Sequence, residues 1–323
     1  MTVNVAVVSF WHVHAEGYAR EIEEKTSSKI AAVWDEDPER GARFAGQFHV
    51  RFYPDYDEML KNSDIDGVLI TSATCEHTEL ILKAIRAGKK VFSEKVLALT
   101  TRDCLEIKEA LAEKGGDITL SLVKKCNSPY LFAKQMVDSG ALGRITYARM
   151  RNVHDGSVKG WLPAHFYSRE QCGGGAMIDL GAHPMYLLCW LLGMPKSVQS
   201  TFTSVTGHEV EDNAVSVLEY GNGAVGVSET GFVSVYNPET LEISGTEGAL
   251  LVRGDSVQYA DAQTGGKWVE AEKLPQRLPS PLTLWANGEK VKGVTFGIED
   301  AVALTRMMEA AYKAQRSGRK ETV

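Results

Sequence analysis

The sequence predicts a two-part protein, in which a doubly wound parallel α/β sheet is followed by an α+β part with a large, mostly antiparallel open sheet. Three observations support this prediction. Strand-like and helix-like segments alternate through the first third, alternating apolar and polar segments dominate after residue 197, and the 323 residues suffice for two hydrophobic cores. We place the two domains at residues 1–123 and 124–323.

Five short apolar segments define the parallel sheet. They occupy residues 3–8, 29–34, 66–71, 89–93 and 117–123, with helical patterns between them. The almost continuous apolar character of residues 5–8 and 68–70 is typical of strands that are buried on both faces. Parallel strands need crossover connections, and the intervening helical patterns supply them.

The second part begins with a predicted helix at 128–139, a strand at 144–153 and a helical segment at 176–192. Five strand-like segments then follow with short Gly- or Asn-containing connections, at 197–205, 213–221, 224–233, 240–246 and 249–254. A final helix is predicted at 298–316. Successive strands with short connections favour antiparallel pairing.

Composition excludes several classes of partner. The 35 basic and 42 acidic residues give a net charge of −7, and no basic run extends beyond Lys124-Lys125, so we expect no nucleic acid. With no long apolar segment and no leader-like beginning, we expect no membrane and a cytoplasmic location. The five cysteines are scattered without a CxxC pair, which indicates neither a disulfide framework nor a zinc ribbon.

Asp35 follows the second predicted strand and lies 21 residues beyond His14. In a dinucleotide-binding βαβ unit an acid at this place holds the adenosine ribose. An acid there also repels a 2′-phosphate, which favours NAD over NADP. The alternative is that Asp35 caps the helix that opens at Pro38, a role that Asp37 could equally fill.

The first turn lacks the glycines that such a unit normally carries. After the first strand the chain reads Ser9-Phe10-Trp11-His12-Val13-His14. Ser9 or His12 could still donate side-chain hydrogen bonds to a phosphate at the helix N-terminus, so Ser9, Phe10, Trp11 and His12 are cofactor-binding candidates. The alternative is that Phe10 and Trp11 pack in the core and the cofactor site is degenerate.

The pair His12 and His14 also matches the HxH motif that begins a metal site in barrel hydrolases. The strands after residue 197 do not continue the βα repeats that a barrel needs. We therefore expect no metal site.

Two further segments resemble a known family. The chain reads SEKV at 93–96 and GGGAMIDLGAH at 173–183, and the glucose-fructose oxidoreductase/inositol dehydrogenase/MocA family carries Glu-Lys-Pro after a strand and GGG with Asp-x-Gly-x-His on a later helix. The order and spacing of the motifs agree over essentially the whole chain. The resemblance implies a Rossmann domain and an NAD(P)-dependent oxidoreductase.

The resemblance implies that Lys95, Asp179 and His183 are catalytic. Asp179 and His183 are four residues apart, so on one helix they would share a face. His183 would be the general base, Lys95 would stabilise charge on the reacting oxygen, and Asp179 would orient the substrate or the histidine. Asp179 and His183 could instead satisfy each other structurally.

The resemblance also implies binding residues. It adds cofactor contacts from Ser72, Ala73, Thr74, His77, Glu94 and Lys95, although Thr74 could simply cap the following helix. It places six residues at the substrate: Lys125, Asn127, His154, Trp161, His165 and Tyr167. Val96 replaces the family's proline, so the cost of about 3–4 kcal/mol for a cis bond predicts a trans Lys95-Val96 peptide.

We therefore expect an NAD-dependent dehydrogenase that oxidises or reduces a secondary hydroxyl or keto group of a sugar, inositol or related polyol. A homodimer or homotetramer is expected from the family's open sheet. The alternatives are a glycosidase-type member that uses NAD without net redox change, and a binding protein that has lost the cofactor.

Overall fold

The computed structural model describes residues 2–323, which form two compact units. The first unit comprises the chain up to Leu122 together with Pro279–Val302, and the second comprises Val123–Leu278 and Ala303–Val323. The sequence prediction included residues 279–302 in the second domain, whereas they belong to the first unit.

The first unit is built around a parallel sheet of six strands: β1 (Asn4–Val8), β2 (Lys29–Trp34), β3 (Arg51–Tyr53), β4 (Gly67–Ile70), β5 (Lys90–Ser93) and β6 (Ile118–Leu120). Its helices are α1 (Ala15–Lys25), α2 (Pro38–Gln47), α3 (Tyr56–Leu60), α4 (His77–Arg86) and α5 (Thr101–Lys114). The strand order is β3-β2-β1-β4-β5-β6, and all five pairs are parallel. The predicted doubly wound sheet is confirmed, with β3 as an additional short strand.

The second unit begins mainly with helices. Its first elements are α6 (Ser128–Asp138), β7 (Ile145–Val153), α7 (Gly156–Lys159), α8 (Arg169–Cys172), α9 (Ala176–Asp179) and α10 (Ala182–Leu192). Strands β8 to β14 follow, at Ser197–Thr203, Asn213–Glu219, Val225–Gly231, Thr240–Gly245, Ala249–Arg253, Ser256–Ala260 and Val269–Glu270. Helix α11 (Pro281–Asn287) lies in the first unit, α12 (Ile298–Ser317) runs from the first unit into the second, and β15 (Glu321–Thr322) ends the chain.

The sheet of the second unit has nine strands in the order β14-β13-β12-β11-β7-β10-β9-β8-β15. The β7–β10 pair is parallel and the other pairs are antiparallel. The expected mostly antiparallel sheet is therefore confirmed. Strand β9 alternates exposed and buried side chains along its whole length, which is the pattern of a sheet with one covered face.

The predicted helix over 176–192 is two helices. Helix α9 ends at Asp179 and α10 begins at Ala182, and a Cβ on the intervening Gly181 would lie 2.4 Å from the carbonyl oxygen of Met177. The prediction of one continuous helix is wrong because this close backbone approach, which only glycine permits, interrupts it.

Within residues 2–323 no single helix has the length and apolar composition of a membrane span, although Arg169–Asp179 and Ala182–Leu192 reach it together across a 51° bend.

Candidate active site

The first turn keeps a glycine-like backbone without glycine. Ser9 directly follows β1 and has a φ of 74°, in the region that costs about 1–2 kcal/mol for a residue with a Cβ atom. Its hydroxyl accepts the Trp11 amide at 3.0 Å, and its carbonyl accepts the Thr71 hydroxyl at 2.6 Å. These two hydrogen bonds stabilise the strained residue.

The backbone amides of this turn donate hydrogen bonds to acceptors within the protein. Four of them donate to protein acceptors: Phe10 to Asp35 at 2.8 Å, Trp11 to the Ser9 hydroxyl, His12 to the Thr71 carbonyl at 3.0 Å and His14 to Nδ1 of His12 at 3.2 Å. In a glycine-rich turn, amides at the helix N-terminus would face the pyrophosphate. A cofactor diphosphate at this turn would therefore depend more on side chains than in a glycine-rich turn.

The aromatic residues of the turn are buried. Phe10 is 7% exposed and stacks on Phe44 with ring centroids 3.9 Å apart, within the apolar cluster between the sheet and α2. Trp11 is 8% exposed. The Phe10 side chain thus packs in the core, as the alternative interpretation of the turn expects.

Asp35 lies at the carboxyl end of β2, where the ribose-binding acid belongs, but its oxygens already accept several hydrogen bonds. They accept the amides of Phe10 and Asp37, and Arg40 forms an ion pair with Asp35 at 2.7 Å. Burial would lower the pKa of Arg40, but Asp35 and Glu36 outweigh it and raise that pKa. Asp35 therefore joins the turn to α2 in this structure.

Glu76 is a residue of this edge that the sequence reasoning did not single out. Burial, followed by the charge of nearby Glu36, raises the pKa of Glu76 to about 7, against the opposing effect of Arg40. Its Oε2 is buried and has no hydrogen-bond partner. In the sequence, this residue could have been identified as an acid directly before α4, at the sheet edge where ligands bind in doubly wound folds.

His77 connects two loops. Its ring nitrogens lie 3.0 Å from the Val96 carbonyl oxygen and 3.2 Å from that of Ser72. Burial lowers the pKa of His77, so the neutral ring donates to one of these carbonyls at a time. Ser72 and Ala73 are buried beside it and Thr74 is half-buried. His77 thus fixes the loop that was predicted to border the cofactor.

Glu94 and Lys95 follow β5 and are buried, with 1% and 5% exposure. The Glu94 carboxylate accepts His14 at 2.8 Å, the Tyr18 hydroxyl and the Lys95 amide at 3.0 Å. Burial would raise the pKa of Glu94, but the charges and hydrogen bonds of His12, His14 and Lys95 outweigh it and hold that pKa well below its usual value. Glu94 is therefore a fixed carboxylate.

The Lys95-Val96 peptide bond is cis, so the prediction of a trans bond is wrong. That prediction considered only the intrinsic preference of the bond and not its surroundings. Val96 is 1% exposed, and its carbonyl lies 3.0 Å from the ring of His77.

In the second unit, Asp179 is the last residue of α9 and His183 the second residue of α10, so they do not lie on one helix as predicted. The carbonyl of Leu180, between the two helices, accepts Nδ2 of Asn152 at 3.4 Å. The junction is thereby tied to β7.

Three glycines precede α9 and allow close packing. A Cβ on Gly174 would lie 1.9 Å from the Tyr312 hydroxyl, and one on Gly175 would lie 2.0 Å from the Glu211 carbonyl oxygen. The Glu211 carboxylate accepts the amides of Gly175 at 2.9 Å and Met177 at 3.1 Å and the Tyr312 hydroxyl at 2.5 Å. Glu211 and Tyr312 therefore position the helix that ends at Asp179, and no local motif marks either of them.

His183 is 8% exposed, and its Nδ1 lies 2.9 Å from the Tyr186 hydroxyl. That hydroxyl also accepts the Lys124 amide at 3.1 Å. A hydroxyl oxygen has two lone pairs, so Tyr186 can accept Nδ1–H as well. In that tautomer Nε2 of His183 carries the lone pair that a general base needs.

The six predicted substrate residues divide into two groups. His154, Trp161 and Tyr167 form an aromatic cluster with Phe232 and His208, in which His154 stacks on Phe232 at 4.8 Å and packs against Trp161 at 4.6 Å, and Tyr167 stacks on His208 at 3.6 Å. His165 lies in the same segment, against Phe166. Lys125, buried with its ammonium over Trp190, and Asn127 precede α6 and form the second group.

The first unit is a Rossmann-type dinucleotide-binding fold, with an acid after β2 and a Glu-Lys pair after β5. The chain belongs to the Gfo/Idh/MocA oxidoreductase family. The family's model of the NAD-binding Rossmann fold matches residues 3–121, and the model of its C-terminal domain matches residues 130–251.

Individual relatives and solved structures also resemble this chain. Inositol 2-dehydrogenase 3 of Saccharopolyspora erythraea is 30% identical over 69% of this chain and 65% of its own length, just under two thirds. Inositol 2-dehydrogenase 2 of the same organism is 26% identical over 98% and 94% of the two chains. An NAD-binding oxidoreductase from Klebsiella pneumoniae shares the fold, with a TM-score of 0.84 and 21% identity over 100% and 99% of the two chains.

Proposed function

We propose that this protein is an oxidoreductase that transfers hydride between NAD and a secondary hydroxyl or keto group of a sugar, inositol or related polyol. One observation carries the proposal. Lys95 is held in a buried position after Glu94 at the carboxyl end of β5, the edge where ligands bind in a doubly wound sheet. The inositol dehydrogenases among the relatives support the substrate class.

Lys95, Asp179 and His183 have complementary roles in this proposal. Oxidation of an alcohol requires a base for the hydroxyl proton, and Nε2 of His183 accepts it while Nδ1 donates to Tyr186. The Lys95 ammonium stabilises negative charge on the reacting oxygen, and Asp179 orients substrate or imidazole. NAD, when bound, supplies the hydride acceptor.

The residues around Asp35 fit the ribose of NAD better than the phosphate of NADP. The carboxylates of Asp35 and Glu36 oppose the guanidinium of Arg40. Because Asp35 is engaged by protein donors, the partly exposed Glu36 is the more accessible acceptor for a ribose hydroxyl. The loop of Ser72, Ala73 and Thr74 borders the rest of the cofactor.

The aromatic cluster of the second unit supports a carbohydrate or polyol substrate. Trp161 is 54% exposed, with its indole nitrogen fixed on Asp155 at 2.9 Å. An exposed aromatic plane beside hydrogen-bonding groups suits a polyhydroxylated ring. The ring of His154 packs against this plane, with ring centroids 4.6 Å apart.

The test is formation of NADH with a panel of sugars and inositols. For any substrate that the wild type oxidises, Lys95→Ala should lower the rate by about 10²–10⁴-fold, because charge on the reacting oxygen loses its stabilising group. Lys90→Ala removes an exposed lysine at the start of the same strand and serves as the control, with an unchanged rate. A Lys95→Ala rate equal to that of the wild type would contradict the proposal.

A binding protein without hydride transfer is the second candidate. The internal hydrogen bonds of the amides of Phe10, Trp11 and His12 favour it, since they leave fewer donors for a diphosphate. A titration with NAD separates the two candidates, because this second protein would not bind the cofactor.

A further inference from the structure

We propose that His12, His14 and Glu94 form a binding site for one divalent transition-metal ion of the zinc class. Each residue offers one ligand atom, and the three atoms lie within 4.8 Å of one another. All three residues belong to the first unit. The proposal does not rest on the proposed dehydrogenase function.

The backbone brings the three ligands together from distant parts of the sequence. His12 and His14 alternate in the turn after β1, and the His12 amide is fixed on the Thr71 carbonyl at 3.0 Å. Glu94 follows β5, and its amide donates to the Ile70 carbonyl at 3.1 Å. The carboxyl ends of parallel strands meet at one edge of the sheet, so these residues converge there.

The distances are close to those of a metal centre. Nδ1 of His14 lies 2.8 Å from Oε1 of Glu94, and Nδ1 of His12 lies 3.9 Å from the same oxygen. A tetrahedral ion with bonds of about 2.0–2.2 Å holds its ligand atoms roughly 3.4 Å apart. To bind through these atoms the ion replaces two hydrogen bonds, the one between His14 and Glu94 and the one from the His14 amide to Nδ1 of His12, and the rings rotate to complete the site.

The surroundings resemble those of metal ligands in proteins. Glu94 also accepts the Tyr18 hydroxyl, which lies 2.6 Å from the Ser121 hydroxyl. Outer hydrogen bonds of this kind hold a ligating carboxylate in place. The His14 side chain is 50% exposed whereas those of His12 and Glu94 are buried, so an ion can enter from the side of His14.

The donor set indicates the kind of ion. Two imidazoles and one carboxylate suit Zn²⁺ and its first-row neighbours, whereas Mg²⁺ and Ca²⁺ prefer oxygen ligands. Three protein ligands leave at least one coordination position open, which is typical of sites that bind a further oxygen ligand. The HxH pair alone does not predict a metal site. Glu94, the third ligand, lies 80 residues beyond His14 along the chain.

The test is a calorimetric titration of the metal-stripped full chain with Zn²⁺. We expect one ion per chain with a Kd of about 1 µM or below. His14→Ala should weaken binding by about 100-fold or more, and this half-exposed position makes the variant the least disruptive of the three. His49→Asn removes an exposed histidine of the same unit and is the matched control, with unchanged binding.

Co²⁺ absorption provides a second readout that does not depend on affinity alone. The visible bands of a Co²⁺ ion with two imidazole ligands should appear in the wild type and in His49→Asn and change in His14→Ala and Glu94→Gln. Absence of Zn²⁺ binding to the wild type, or equal binding by wild type and His14→Ala, would overturn the proposal. Neither measurement requires NAD or a substrate, so its failure is distinct from failure of the proposed function.

Discussion

Glu76 is a half-buried carboxylate of the first unit that has a raised pKa. Burial and the charge of Glu36 raise its pKa from 4.5 to about 7. A raised pKa means that the folded protein prefers the protonated form. The free-energy cost of ionising Glu76 in the folded state therefore appears as the pH rises above 4.5 and is complete above pH 7.

Glu76→Gln removes this cost. We expect the variant to be more stable than the wild type by about 1 kcal/mol at about pH 8, after a discount for the partial exposure of Glu76, and equally stable near about pH 4.5. Urea unfolding at the two pH values measures the difference. Glu113→Gln changes an exposed acid of α5 and is the control, for which we expect no gain in stability at about pH 8. A stabilisation of Glu76→Gln that is equal at both pH values would contradict this account.

At the residue scale the sequence predicts positions better than contacts. The pattern after β2 and β5 predicts where Asp35 and Lys95 lie, because strand ends can be read from local apolar segments. It does not predict that Asp35 pairs with Arg40 or that Glu94 meets His14, since these contacts depend on packing between separate loops.

The three-glycine segment before α9 packs closely against Tyr312 and Glu211, and this helix ends at the proposed catalytic residue Asp179. Gly174 lies against the ring and hydroxyl of Tyr312, which belongs to the distant helix α12 and is held by Glu211. The glycines therefore serve close packing, and Asp179 takes its position from them.

Gly174→Ala should destabilise the protein by about 2–3 kcal/mol, because the new methyl group would overlap the Tyr312 hydroxyl. Chemical denaturation measures the loss. In a Tyr312→Phe background the nearest atom is absent, so the additional loss from Gly174→Ala should be smaller.

Gly46→Ala is the matched control, since a Cβ at Gly46 would meet nothing within 4 Å and the residue lies in α2. This change should be neutral or stabilise by up to about 1 kcal/mol. If Gly174→Ala is as stable as the wild type, the glycine segment is not required for packing.

At the element scale the long segments are predictable and the interruptions are not. Strand β7 and helix α6 follow from apolar periodicity. The break between α9 and α10 does not, because it results from the approach of Gly181 to the Met177 carbonyl. The two-residue strands β14 and β15 are too short to give a periodic signal.

At the scale of the whole molecule, local patterns predict the two sheets but not that residues 279–302 belong to the first unit. Residues 279–302 pack with the first unit, where Trp285 lies 5.8 Å from Phe92. No local property of this segment distinguishes it from the second part. The strand order of both sheets likewise depends on pairing over long sequence distances.

We propose that the first unit binds NAD although its turn has no glycine. Ser9 keeps the glycine-like φ of 74°, but the neighbouring amides donate to protein acceptors. Binding therefore relies on side chains at the carboxyl edge of the sheet, among which the partly exposed carboxylate of Glu36 is an acceptor for the ribose.

Calorimetric titration of the purified protein with NAD, and in parallel with NADP, measures whether the glycine-free turn permits cofactor binding. We expect NAD binding with a Kd in the range of about 1–100 µM and NADP binding at least about 10-fold weaker, because the carboxylates of Asp35 and Glu36 repel a 2′-phosphate. No binding of either nucleotide would show that the first unit is not a cofactor site and would support a binding protein without redox chemistry.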